Sequence, residues 1–195
     1  MSIFDLLFLA LALLTAVTLL AALYQLLRGR LARSWRILRN LLIGAAIYFA
    51  IVAGTSLVLP RRYFNFKEPD CFDDWCISVD AIAPLRPQGA NASYLVTLSL
   101  ISRAKRISQR ERNVVVYLTD ASGKRYDPAP SSADVPISSL LAPGDSIQAT
   151  RRFNLPTGVR PVGVVIDHEG GFPIGWFIIG YETWFRKPDM VGFTP

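Results

Sequence analysis

Cys71 and Cys76 are the only cysteines in this chain and His168 is its only histidine, so thiol, metal or imidazole chemistry must draw on these three side chains. The cysteines lie in CFDDWC, a C-x4-C spacing with two acids and two aromatics between them. In an oxidising compartment the default for such a pair is a disulfide. A ring this small contributes about 2 kcal/mol in the chain-entropy account, so its use would be to fix a linker against the start of a domain. Strand alternation puts Cys76 on the face opposite Trp75, leaving its sulfur free to reach back to Cys71. The competing chemistry makes Cys71 and Cys76 metal ligands with His168 as a third, in a copper-binding, copper-delivery or thiol-redox site.

His168 stands in the run Asp167-His168-Glu169-Gly170-Gly171, which reads as a polar turn carrying a surface histidine. Asp73 and Asp74 could form an acidic recognition patch or bind calcium, but adjacent acids where a strand begins are expected to be simply solvated. One histidine and no G-x-S-x-G leave no Ser/His/Asp hydrolase to assemble. The sequon Asn91-Ala92-Ser93 matters only in a eukaryotic secretory pathway. The expectation is therefore a protein without catalysis and without a cofactor.

The elements that would position these residues fall into two parts. Of 195 residues 51% are hydrophobic, and they concentrate before residue 60. Residues 6–27 and 41–59 carry no formal charge; at 1.5 Å per residue each run is long enough to cross a bilayer as a helix. The flank before the first run holds Asp5 and no Lys or Arg, which predicts a retained anchor rather than a cleaved signal peptide. Between the runs lie Arg28, Arg30, Arg33, Arg36 and Arg39 without an acid, expected to be a cytoplasmic loop over residues 28–40 that contacts lipid. Arg61 and Arg62 oppose that orientation, but they are two against five. Leu31, Trp35 and Leu38 fall at helical spacing opposite the arginines, so this loop could lie among headgroups.

In the second helix, expected at 41–59, Ala46, Ala50 and Gly54 recur every fourth residue, a small-residue face for close packing. The first helix, at about 4–27, offers Ala12 and Ala16 to it, and an outside partner subunit competes for the same face. The absence of ionisable residues in mid-run argues against an ion path through this hairpin alone.

Residues 61–195 carry 16 basic and 14 acidic side chains, so the net charge of +6 and the pI near 9.6 reflect the arginine cluster. No basic face is left to track phosphates, and no nucleic-acid partner is expected. After a linker at 61–72, short alternating runs punctuated by Gly, Pro, Asp and Ser predict an antiparallel β domain over 73–195. Trp75, Ile77, Val79 and Ala81 should share one face, as should Tyr94, Val96, Leu98 and Leu100. Further strands are predicted around 114–118, 124–126, 147–155, 162–166 and 176–179, with an aromatic tail of Tyr181, Trp184, Phe185 and Phe193. Such strands suggest a two-sheet sandwich, with a closed barrel as the alternative.

The segment SLLAPGDSIQATRRFNLP, preceded by YLVTLSLISRAKR and VVVYLTDASGKRY, resembles the immunoglobulin-like extracytoplasmic domains of unknown function found on many bacterial membrane proteins and lipoproteins. The resemblance covers roughly residues 73–180, excludes the hairpin, and rests on structural turns: a D-x-x-G turn and an L-x-P-G-[DE]-S approach to a strand ending F-x-[LV]-P. It implies a sandwich used for binding or assembly. A hairpin followed by a β domain is also similar to subunit II of the haem-copper oxidases, but that family's C-x3-C-x3-H-x2-M lies near the end of its domain and does not match C-x4-C here.

The sequence thus predicts a two-pass protein of a bacterial inner membrane, both termini extracytoplasmic, acting as a non-enzymatic binding or assembly module with a protein partner in the envelope. A lipid sensor working through the basic loop is the third possibility, with little cytoplasmic chain to house a partner.

Overall fold

Each uncharged run lies in a helix and is rich in Leu and Ala, which favour that conformation. In the computed structural model, which describes residues 3–88, 91–131, 133–170, 177–179 and 185–193, α1 spans Ile3–Leu27 and α2 spans Leu31–Val58. Only Arg28, Gly29 and Arg30 connect them, a link short enough to make the helices an antiparallel hairpin. Gly29 takes φ 71°, its N–H bonds the Leu26 carbonyl at 2.9 Å and that of Arg30 the Gln25 carbonyl at 2.9 Å. This is a Schellman cap, which uses a glycine where the backbone turns left-handed.

The basic segment is accordingly not a loop over 28–40. From Leu31 onward it is the first turns of α2, where alternation of arginine with Leu31, Ala32, Trp35 and Leu38 suits a helix. The less exposed positions of α2 include Ser34, Leu38, Leu41, Ala45, Tyr48, Val52 and Thr55, steps of four and three that describe one seam, with Ile37, Ala53 and Ser56 beside it. Ser34 Oγ donates to the Ala22 carbonyl across the hairpin at 3.0 Å, with both residues buried. Ala46, Ala50 and Gly54 are exposed, as are Ala12 and Ala16, so the small-residue face is not the hairpin seam. A Cβ on Gly54 would meet nothing within 4 Å.

The chain divides into two compact units: Met1–Pro60 with Phe172–Arg186, and Arg61–Gly171 with Lys187–Pro195. The second is a β-sandwich. Its strands are β1 (Tyr63–Phe64), β2 (Asp70–Phe72), β3 (Trp75–Gln88), β4 (Asn91–Ser102), β5 (Val114–Asp120), β6 (Arg125–Tyr126), β7 (Ser146–Pro156), β8 (Pro161–His168) and β9 (Asp189–Gly192). One sheet runs β1-β9-β8-β5-β6 and the other β2-β3-β4-β7. All neighbours are antiparallel except β1 and β9, which makes the first sheet mixed. Ile77, Val79, Val96, Leu98, Leu100, Phe153 and Leu155 from one sheet meet Val116, Leu118, Val164, Ile166 and Val191 from the other in a single apolar cluster. This is a layered sandwich rather than a barrel, since no pairing among the described residues joins the two sheets.

One departure from simple alternation has an identifiable cause. Pairing of β3 with β4 slips between Val79 and Ala81, so Asp80 is an extra residue and the phase shifts after it. Ala81 is therefore exposed and Ile82 packs on the core, the reverse of the expected order. Asp80 accepts from Ser78 Oγ at 3.0 Å and from Ser99 Oγ at 2.5 Å, which holds the bulge.

The boundaries shift as well. Residues 61–72 contain β1 and β2 instead of a bare linker, and the last strand is β9. Residues 177–179 form no strand and belong to the helical unit. Trp176, Tyr181 and Trp184 lie outside the described residues.

On the outer side of the first sheet, Gly163 of β8 lies under Met190 of β9. A Cβ there would stand 2.7 Å from both Cγ and Sδ of Met190 and 2.8 Å from the Val191 carbonyl oxygen. Because one of these atoms is backbone, Gly163→Ala should destabilise the sandwich by about 1–3 kcal/mol. Thermal unfolding of the full chain in mild detergent, followed by near-ultraviolet circular dichroism, should show a lower Tm; an unchanged Tm would refute the close approach.

Candidate functional site

The sequence points to the hairpin of β2 and β3, where a two-residue turn brings the cysteines face to face. Cys71 and Cys76 are register partners, and Asp73 and Asp74 are the turn itself. Asp73 adopts φ 56°, a conformation that short polar side chains tolerate, and tight hairpins of this kind need positive φ. That is why two acids stand here: they make the reversal, and the Asp74 carbonyl accepts from the Arg103 N–H at 2.7 Å. Cys71 and Cys76 are disulfide-bonded with Cα atoms 3.9 Å apart; Cys71 is exposed and Cys76 fully buried.

Folding brings His168 to this same end of the sandwich. Its ring centroid lies 5.6 Å from that of Phe72, which in turn lies 6.2 Å from Trp75. The imidazole does not face a thiolate. Its Nε2 is 3.1 Å from Glu111 Oε1, and that oxygen also accepts from the Arg112 N–H at 2.9 Å and the Asn113 N–H at 3.3 Å. Burial raises the Glu111 pKa, but the hydrogen bonds from His168, Asn113 and Arg112 outweigh it and hold the carboxyl below its ordinary value. A histidine paired to a carboxylate is an oriented base, but the two thiols are committed to each other. Among the described residues no group of three His, Cys, Asp or Glu side chains could hold a metal ion. Cys71, Cys76 and His168 therefore gather at one end without forming a ligand set.

The turns that carry the sequence resemblance have structural explanations. In the D-x-x-G turn, Asp120 Oδ1 accepts from Ser122 Oγ at 2.6 Å, Ser122 N–H at 2.9 Å and Lys124 N–H at 3.0 Å, while Oδ2 accepts from Tyr126 Oη at 2.9 Å. These bonds, that of the Ser122 side chain foremost, lower its pKa to about 2. In the LAPGDS segment Pro143 precedes Gly144 at φ 78°, the sequence of a type II turn, and the Asp145 N–H closes on the Ala142 carbonyl at 3.0 Å.

All five arginines of the basic segment are exposed, Arg28 lying 4.5 Å over the Tyr24 ring and Arg33, Arg36 and Arg39 projecting from α2. Arg151 was not singled out from sequence. It occupies a core-facing parity in β7, between Ala149 and Phe153, with its side chain 11% exposed. Its guanidinium donates to the Val135 carbonyl at 2.8 Å and the Thr150 carbonyl at 2.6 Å, and Asp134 lies 3.9 Å away. Burial lowers its pKa and Asp134 opposes the shift. A basic residue interrupting an apolar alternation was the signal available in the sequence.

No family model and no curated protein matches this chain. Among solved structures, the crystal structure of MPT63, a secreted protein from Mycobacterium tuberculosis, aligns with a TM-score of 0.44 at 14% identity, covering 56% of this chain and 91% of that one.

Two outcomes follow from the hairpin and the turn. Replacing the pair as Cys71→Ser with Cys76→Ala should lower stability by about 2 kcal/mol while the sandwich still folds, measured as a reduced Tm in detergent. The depressed pKa of Asp120 gives stability that is complete above its ordinary value of 3.8 and is lost as pH falls through about 2. Asp120→Asn should flatten the loss of Tm between those two pH values; an acid limb as steep as the parent's would refute the assignment.

Proposed function

We propose that this protein is a non-enzymatic, membrane-anchored module: α1 and α2 span a bilayer and present the sandwich on the extracytoplasmic side for binding or assembly. The observation that carries this reading is the solvent exposure of the hairpin. Leu6, Leu9, Leu13, Leu14, Leu20, Ile43, Ile47 and Ile51 are all exposed, so the helices cannot be the buried core of a water-soluble domain. Hydrocarbon is the solvent that suits them.

Orientation follows from charge. Arg28 and Arg30 in the connector and Arg33, Arg36 and Arg39 on α2 form one basic end of the hairpin, which the positive-inside rule assigns to the cytoplasm and to contact with anionic lipid. Arg61 and Arg62 would lie across the membrane. The Cys71–Cys76 disulfide agrees with that side, because reducing cytosol disfavours such bonds. Both termini are then extracytoplasmic, in the periplasm or outside the cell of a bacterium.

Assembly draws on the exposed face of Ala46, Ala50 and Gly54, which the hairpin leaves open and where another helix can approach closely. The partner is proposed to be an envelope membrane protein. Copper or thiol-redox chemistry at Cys71 and Cys76 gains no support, since His168 is turned to Glu111.

An impermeant maleimide should label a Ser131→Cys variant in intact spheroplasts. Labelling only after lysis would overturn the orientation and with it the role in the envelope. Gly54→Leu should weaken site-specific crosslinking from position 50 to a partner helix while leaving the Tm of the sandwich unchanged.

A further inference from the structure

The aromatic stretch that follows β8 does something a surface loop would not. Residues 170–181 form a run of 12 without a formal charge, GGFPIGWFIIGY, bounded by Glu169 and Glu182. A run of this length is too short to cross a bilayer as a helix and is typical of interfacial or re-entrant segments. Within it, Phe177 belongs to the same compact unit as α1 and α2. The Tyr48 hydroxyl donates to the Phe177 carbonyl at 2.5 Å, and the Phe49 and Phe177 rings meet edge to face with centroids 5.9 Å apart.

The position of Tyr48 gives these contacts their meaning. It stands seven residues after Leu41 and eleven before Leu59, so about 10 Å and 16 Å of helix separate it from the two ends of the uncharged run. Phe177 is therefore held beside the middle of the segment read as spanning the bilayer. Phe177, Ile178 and Ile179 are half-buried, and Phe49, whose ring meets that of Phe177, is exposed on α2. Non-helical backbone survives at membrane depth only where its polar groups find partners within the protein, and the Tyr48 hydroxyl supplies one to the Phe177 carbonyl.

We propose that residues 177–179 are embedded among lipid acyl chains as a re-entrant turn, tethered to α2 by Tyr48, so that the chain holds the bilayer at a third point besides its two helices. This rests on the reading of α1 and α2 as membrane spans. The recognising chemistry is hydrocarbon: three large apolar side chains, no charge, and a carbonyl already satisfied.

The test uses the full chain, its disulfide intact, reconstituted into vesicles of phosphatidylcholine and phosphatidylglycerol. Nitroxide labels are placed singly at Ile178→Cys, at Ala50→Cys on the exposed side of α2, and at Ser131→Cys in an exposed loop. Collision with oxygen, which partitions into hydrocarbon, is compared with collision with a neutral water-soluble nickel complex. The label at position 178 should match that at 50, several-fold more accessible to oxygen than to nickel, and Tyr48→Phe should raise its nickel accessibility several-fold. A label at 178 that behaves like the one at 131, while 50 remains lipid-like, would overturn the re-entrant turn alone. Water-like behaviour at position 50 would overturn the spanning reading and this proposal together. Unchanged nickel accessibility in Tyr48→Phe would overturn the tether.

Discussion

The apolar surface of α1 and α2 is the constraint from which the rest of the molecule follows. Two helices of 25 and 28 residues pack along a single seam, and a pair can cover only that seam; the remaining circumference of each helix stays open. At about 25 cal/mol per Å2, exposing that apolar surface to water is costly. The seam combines apolar side chains such as Leu41 and Val52 with hydrogen bonding. Ser34 bonding the Ala22 carbonyl is the clearest instance. The same constraint explains the cap at Gly29, since a reversal in three residues leaves no slack for another geometry.

Much of this was legible before any coordinates. Uncharged runs have one structural solution in lipid, and strict alternation in Val96, Leu98 and Leu100 has one solution in a sheet, so helices and strands could be read directly. The disulfide was legible because these are the chain's two cysteines and an oxidising compartment makes their pairing the default. What could not be read were effects in which one residue's role depends on distant chain. The bulge at Asp80 inverted Ala81 and Ile82 because Ser99, from another strand, stabilises the extra residue. Gly163 is needed because Met190 folds over it from a strand 26 residues further on, and that strand itself was passed over. The arginine segment reads as a loop because a cluster of charge resembles the end of a helix, whereas α2 runs through it with arginines on its exposed side.

The candidate site shows the opposite balance. Cys71, Cys76 and His168 are the side chains in which the sequence offers thiol or imidazole chemistry, and folding brings them to one end of the sandwich. Their partners decide what they do, and partners are not visible in a linear pattern. Glu111, 57 positions from His168, turns the imidazole into one half of a pair, and the two sulfurs spend their reactivity on each other.

The order of strands in the mixed sheet links these observations. β1, β9 and β8 are consecutive neighbours, and each is joined by chain to the helical unit: β1 follows α2, β8 precedes residues 172–186, and β9 follows them. Ile166 is register partner to Asp189, and the Met190 N–H bonds the Arg62 carbonyl at 3.1 Å, so three connections emerge from one corner of one sheet. Parallel pairing of β1 with β9 is unusual in an otherwise antiparallel fold, and it arises because both strands start from that corner. Three strands hydrogen-bonded side by side, with Met190 lying over Gly163, build that corner of the sandwich, so the close approach at Gly163 matters to β9 as well as to β8.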